Sequence, residues 1–155
     1  MKQLIPEFDR LREKFPEGFA SSMVLPCVRR IQEEYGHVRN EDIAGLAEYL
    51  GVPRVQIEEV LSFYGQFRRA PVGRCHIEMC RNVSCSLLGA ERLIDHVSRK
   101  LGIAPGETTP DGRFSLATVE CMASCGTAPM LVVNGTYHEG MTAEKIDRLI
   151  EQEKP

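Results

Sequence analysis

The spacing of apolar positions divides the chain into a helical first half and a mixed second half. A charged segment from Glu7 to Phe15 predicts a short helix, closed by a turn at Pro16, Glu17 and Gly18. Val24, Cys27, Ile31 and Tyr35 then recur along one helical face, with Ser21 or Ser22 placed to cap that helix. Pro26 falls in or just after the first turn, where its missing N–H costs little. Asn40 is the expected cap of a third helix with Ile43, Leu46, Ala47 and Leu50 as its stripe, and Gly51 stops it. Pro53 suits the first turn of a fourth, whose buried side would carry Ile57, Val60, Leu61 and Tyr64. Short connections between amphipathic helices predict a small helical bundle.

The period changes at Ala70, Pro71, Val72 and Gly73, which predicts a domain boundary with domains 1–70 and 71–155. Residues 74–79 alternate Cys75, Ile77 and Met79 against His76 and Glu78, as a half-buried strand does. Leu87, Ala90, Ile94, Val97 and Leu101 follow helical spacing up to Gly102. Strands are expected from Phe114 to Val119 and from Met130 to Val133, and Asn134-Gly135 is a strong hairpin signal leading into Thr136, Tyr137 and His138. Thr142 is placed to cap a last helix running to about Glu151. The order predicts an α+β domain, a sheet with helices packed on it. The sequence contains no internal repeat and no low-complexity stretch.

Composition narrows the function classes. A length of 155 residues with 43% hydrophobic content suits one ordinary core or a small domain with a helical addition. The net charge of −3, from 19 basic and 22 acidic residues, implies no basic face, which argues against nucleic acid as a partner. No apolar run approaches the roughly 18 residues that span a bilayer, and the opening MKQLIPEFDR lacks an export signal. The chain is therefore expected to be soluble and cytoplasmic, without direct membrane insertion. In a reducing compartment its six cysteines point to metal ligation or redox chemistry ahead of disulfides.

Four of those cysteines form two close pairs in expected loops, Cys80 with Cys85 and Cys121 with Cys125, each after an expected strand. With four and three intervening residues, both sulfurs of a pair reach one metal atom. A [2Fe-2S] rhomb takes two thiolates per iron, so two such pairs suit it. The helix expected after Cys85 would point its N-terminal N–H groups at this loop and favour an anionic cluster. A structural zinc tetrahedron also accepts these spacings, and spacing alone separates the metals no further; disulfides or free thiols remain a third option.

From Arg74 to Leu149 the segments CRNVSCSLLGA, GETTPDGRFSL, VECMASCGTAPMLVVNG and YHEGMTAEKI resemble the thioredoxin-like [2Fe-2S] subunit of respiratory complex I, the E-subunit family of the NADH-quinone oxidoreductases. VLPCVRRIQEEYGHV and VQIEEVLSFYGQF resemble the helical extension preceding that fold. The resemblance implies an N-terminal helical bundle followed by a thioredoxin-like [2Fe-2S] ferredoxin domain. It implies one [2Fe-2S] cluster on Cys80, Cys85, Cys121 and Cys125 and one-electron transfer within an NADH dehydrogenase complex. Further, it implies that FMN and NADH reside on a partner subunit, with other iron-sulfur subunits alongside in a peripheral soluble arm. Related subunits of NAD-dependent formate dehydrogenases and hydrogenases, a stand-alone ferredoxin and a zinc-stabilised interaction module are the alternatives. Ala123 stands where the family usually has glycine, and Ser124 either offers a hydroxyl to sulfur, which would raise the reduction potential, or faces solvent.

The remaining candidates read as structural. Cys27 and Cys75 fall on apolar faces and are expected in cores, and His76 is expected on the surface. Phe63 and Tyr64 read as helical stripe before partner dock. Gly126, Ala128 and Pro129 are expected to keep the backbone compact beside Cys125. No G-x-G-x-x-G follows an expected strand, so NADH oxidation is not expected of this chain alone.

Overall fold

The computed structural model describes residues 1–153, apart from the side chain of Lys2; the last two residues of the expected second domain lie outside this range. The chain forms two compact units, Met1–Pro71 and Val72–Pro155.

The first unit is helical, with α1 (Ile5–Arg12), α2 (Val24–Tyr35), α3 (Asn40–Leu50) and α4 (Arg54–Phe63). Leu4, Phe8, Met23, Val28, Ile31, Ile43, Leu46 and Ile57 meet in one core, the result of stacking the apolar stripes. Caps differ from expectation in two places. Ser21 and Ser22 lie in a single 3-10 turn, Ala20–Met23, and Met23 precedes α2 without a side-chain cap. Pro26 does sit in the first turn of α2. At α3 the preceding residue is Arg39, and Asp42 supplies the carboxylate that accepts from its backbone N–H at 3.2 Å and from its guanidinium at 2.8 and 2.9 Å. Asn40, already helical, accepts instead from Arg69 at 2.8 Å. Gly51 ends α3 in the left-handed conformation, φ 67°. Tyr64, expected in the core, lies past the end of α4 in extended backbone and is exposed; Phe63 is 80% exposed.

The second unit is α+β. Its strands are β1 (Cys75–Cys80), β2 (Phe114–Val119), β3 (Leu131–Val133) and β4 (Thr136–His138), in the spatial order β2-β1-β3-β4. β1 and β2 are parallel, and the other two pairings are antiparallel. The parallel pair needs a crossover, and this runs through α5 (Val83–Leu87) and α6 (Ala90–Leu101). Helical spacing predicts a single helix there. Gly89, at φ 94°, breaks it in two and leaves Leu87 81% exposed, off the stripe assigned to it. Asn134 and Gly135 both take positive φ, 49° and 85°, as a tight hairpin between β3 and β4 requires. Thr142 caps α7 (Ala143–Gln152), accepting from the Lys145 N–H at 3.3 Å.

One face of the sheet carries Cys75, Ile77, Met79, Leu116, Leu131 and Val133 against Ile94 and Val97 of α6 and Ile146 and Ile150 of α7. β1 is central and buried on both faces, so His76 is 5% exposed instead of solvated. The neighbouring strand places Ser115 in register with it, and His76 Nδ1 lies 2.6 Å from Ser115 Oγ. Among the described residues no helix is long and apolar enough to cross a membrane.

Candidate metal centre

The parallel register of β1 and β2 builds the site. Cys80, the last residue of β1, pairs with Val119, the last of β2. Parallel neighbours end at the same edge of a sheet, so the segments that follow them emerge side by side. The Arg81 N–H donates to the Val119 carbonyl at 3.0 Å, which continues the pairing by one residue. Arg81 and Glu120 add an ion pair at 2.8 Å, well exposed and worth little in stability. β3 runs back antiparallel to β1, which returns Met130 to the same edge: the Cys80 N–H donates to the Met130 carbonyl at 3.4 Å.

Cys85 stands inside the short helix α5, not in a loop ahead of a helix as expected. Asn82 starts that helix by accepting from the Val83 N–H at 2.7 Å, and Ser86 Oγ donates to the Arg81 carbonyl at 2.9 Å. These two bonds turn the chain tightly between Cys80 and Cys85. Both cysteines are buried, in a small cluster with Ala90, Met130 and Val132 that Met122 and Ala128 border. Burial raises the Cys85 thiol above its ordinary pKa, and the hydrogen-bonding contact with Cys80 raises it further; the Met130 backbone N–H opposes this, while charge on Cys80 and Cys125 adds to it.

Cys121 and Cys125 are exposed. Cys121 Sγ accepts from the Ala123 N–H at 3.3 Å. Ala123 takes φ 57°, the left-handed conformation for which glycine is the easier residue. Cys125 opens a single 3-10 turn, Cys125–Thr127. The hydroxyls of Ser124 and Thr127 both bond the Glu139 carboxylate, so the Ser124 proton is given to Glu139 and not to a sulfur.

All six cysteines are free thiols. Cys27 and Cys75 are buried in the two main cores, where burial pushes their thiols up to about 12 and about 11. They remain neutral at physiological pH, and Cys75 opens β1 at the end opposite Cys80. Among the described residues no three His, Cys, Asp or Glu side chains converge closely enough to hold a metal ion between them. The donor chemistry fits a [2Fe-2S] group: four free thiols on two adjoining segments, with backbone N–H donors at Cys85 and Cys121 of the kind that stabilise anionic sulfur.

Fold and site together define a thiol-bearing α+β domain preceded by a helical unit. Comparison with known proteins names the class. The family model of the thioredoxin-like [2Fe-2S] ferredoxins matches residues 8–154, and the chain belongs to that family. It is 40% identical to the E 2 subunit of the NADH-quinone oxidoreductase of Rhizobium meliloti, over 94% of this chain and 85% of the relative. It is also 40% identical to NADH-quinone oxidoreductase subunit 2 of Thermus thermophilus, over 88% and 76%. Among solved structures, an NAD+-reducing [NiFe]-hydrogenase chain superposes with a TM-score of 0.73 at 25% identity, over 84% of this chain and 22% of that one. This chain thus spans about a fifth of the hydrogenase chain it matches.

Proposed function

We propose that Cys80, Cys85, Cys121 and Cys125 hold one [2Fe-2S] cluster, two thiolates per iron, and that the chain transfers single electrons as the E subunit of an NADH-quinone oxidoreductase. The observation that carries this reading is the parallel register of β1 and β2, which brings both cysteine segments out at one edge of the sheet. Its relatives' names supply the parent complex. When bound, the cluster supplies one-electron redox capacity; hydride chemistry belongs to FMN on an NADH-binding partner subunit. The chain's own residues hold the sulfurs, supply N–H donors to them and keep Cys80 and Cys85 from water. Val83, Leu87 and Leu88, all exposed beside Cys85, give that edge an apolar contact for the partner. Further iron-sulfur subunits of the soluble arm complete the neighbourhood, in the cytoplasm and without membrane insertion of this chain.

The likeness to an NAD+-reducing hydrogenase favours a second reading, in which the same module feeds a different active site. Anaerobic reconstitution tests the metal: two irons and two labile sulfides per chain are expected, with visible absorption and a paramagnetic resonance on reduction. Replacing any one of Cys80, Cys85, Cys121 or Cys125 by Ala should abolish or strongly destabilise the cluster, whereas Cys27→Ala and Cys75→Ala should leave its spectrum intact. Stoichiometric zinc without sulfide would overturn the assignment. Copurification of the chain with its native complex then separates a quinone reductase from a hydrogenase.

A further inference from the structure

The turn between β4 and α7 is stitched to the segment after Cys125. The Gly140 N–H donates to the Thr127 carbonyl at 2.7 Å and the Met141 N–H to the Pro129 carbonyl at 2.8 Å. Lys145 Nζ donates to the Gly140 carbonyl at 2.7 Å, holding the turn from the α7 side. On this base stands Glu139. Its Oε1 accepts from Ser124 Oγ and, at 2.7 Å, from Thr127 Oγ1. Ser124 immediately precedes Cys125 and Thr127 follows it by two residues.

The same carboxylate oxygen accepts from both hydroxyls, and Thr127 Oγ1 also lies 3.3 Å from the Ser124 carbonyl, a longer second acceptor. The contact between the two hydroxyl oxygens, 2.8 Å, completes a closed triangle. Cys125 itself has only a single 3-10 turn around it, so no strand or long helix orients its sulfur. The pair of bonds to Glu139 brackets it from both sides. They also turn the Ser124 hydroxyl away from sulfur, and a hydroxyl donor to a cluster sulfur raises the reduction potential.

We propose that Glu139 is a positioning residue for the Cys121 and Cys125 pair: its carboxylate clamps the hydroxyls flanking Cys125, which orients that thiol and keeps the Ser124 proton off the sulfurs. This rests on the ligand assignment above. The carboxylate form is the one favoured, since the Ser124 and Thr127 bonds hold Glu139 below the ordinary carboxylate range.

Glu139→Ala and Glu139→Gln in the full chain separate the clamp from its charge. The Gln carbonyl still accepts both hydroxyl protons but carries no charge; Ala does neither. Glu139→Ala should shorten the lifetime of the cluster against an iron chelator by roughly tenfold or more, and raise its midpoint potential beyond the shift in Glu139→Gln. Glu139→Gln should keep a lifetime near wild type. Ser124→Ala with Thr127→Val should shorten the lifetime as Glu139→Ala does, and adding Glu139→Ala to that pair should change it little further. Circular dichroism of each variant checks that the fold is kept. Equal lifetimes in wild type and Glu139→Ala, or Ala and Gln variants alike in lifetime and potential, would overturn the clamp while leaving the ligand assignment intact. A wild-type chain that takes up no iron and sulfide would sink the ligand assignment, and this inference with it.

Discussion

Asp42 shows how a single buried charge is made tolerable. Burial by itself would raise its pKa, but three hydrogen bonds from Arg39 outweigh this and hold the carboxyl below its ordinary range. A carboxylate whose folded pKa is lowered contributes stability that is present above its unfolded pKa and lost as pH falls through the folded one. Asp42→Asn should therefore destabilise the protein at neutral pH by about 1–2 kcal/mol, the loss of charge-assisted bonds to a partly exposed guanidinium. The gap to wild type should close on acidification below the ordinary carboxylate range, as urea titrations at several pH values would reveal; a gap constant with pH would refute it. Single residues also hold the departures from expectation. Asn40 reads as a cap because its side chain is a good acceptor, yet Arg39 and Asp42 do that work and Asn40 serves Arg69. Ala123 takes the left-handed conformation in spite of its Cβ, with its N–H on Cys121.

At the scale of elements, the close approach of Gly73 to β2 is the most exacting contact. A Cβ there would stand 2.5 Å from the Phe114 carbonyl carbon and 2.7 Å from the Ser115 nitrogen. Both are backbone atoms, and β2 cannot retreat without disturbing its register with β1. The Gly73 N–H also donates to Ser115 Oγ at 3.1 Å. Gly73→Ala should cost about 1–3 kcal/mol, as overpacking does, and should weaken cluster retention along with stability, because the same register aligns the two cysteine segments. A lower thermal midpoint and faster bleaching are the expected measurements; unchanged values would show that β2 can give way. Removal of the α7 cap by Thr142→Ala should cost about 1 kcal/mol, with most of it restored by Thr142→Ser. Denaturant midpoints of the two variants decide it. The turns are largely legible in the sequence: Gly51, Gly102 and Asn134-Gly135 act as expected because positive φ is a local demand.

At the scale of the molecule, each unit has its own apolar core: one from residues between Leu4 and Phe67, the other from residues between Cys75 and Ile150. Deleting residues 1–70 should leave a coloured cluster domain that associates weakly with its partner subunit. The full chain alone should neither bind nor oxidise NADH. Equal affinity of the truncated and full-length chains in a pull-down titration, or NADH-dependent reduction of an artificial acceptor by the isolated chain, would refute this division of roles.

Local pattern by itself determined most of the elements of this protein, though not the break at Gly89 that divides α5 from α6, because helical and strand periods and turn residues act over a few positions at a time. It singled out the four paired cysteines and separated them from Cys27 and Cys75, which the structure buries in cores. Only the tertiary structure decided that β1 lies at the centre of the sheet, which buries His76 beside Ser115, a residue 39 positions away along the chain. The same pairing turned two separated cysteine motifs into neighbours, with Cys80 opposite Val119. Likewise Ser124 had two open roles until folding brought Glu139, 15 residues on, to accept its proton. Such contacts depend on strand order and register, and these are set by how apolar faces pack across the whole domain, which no local spacing records.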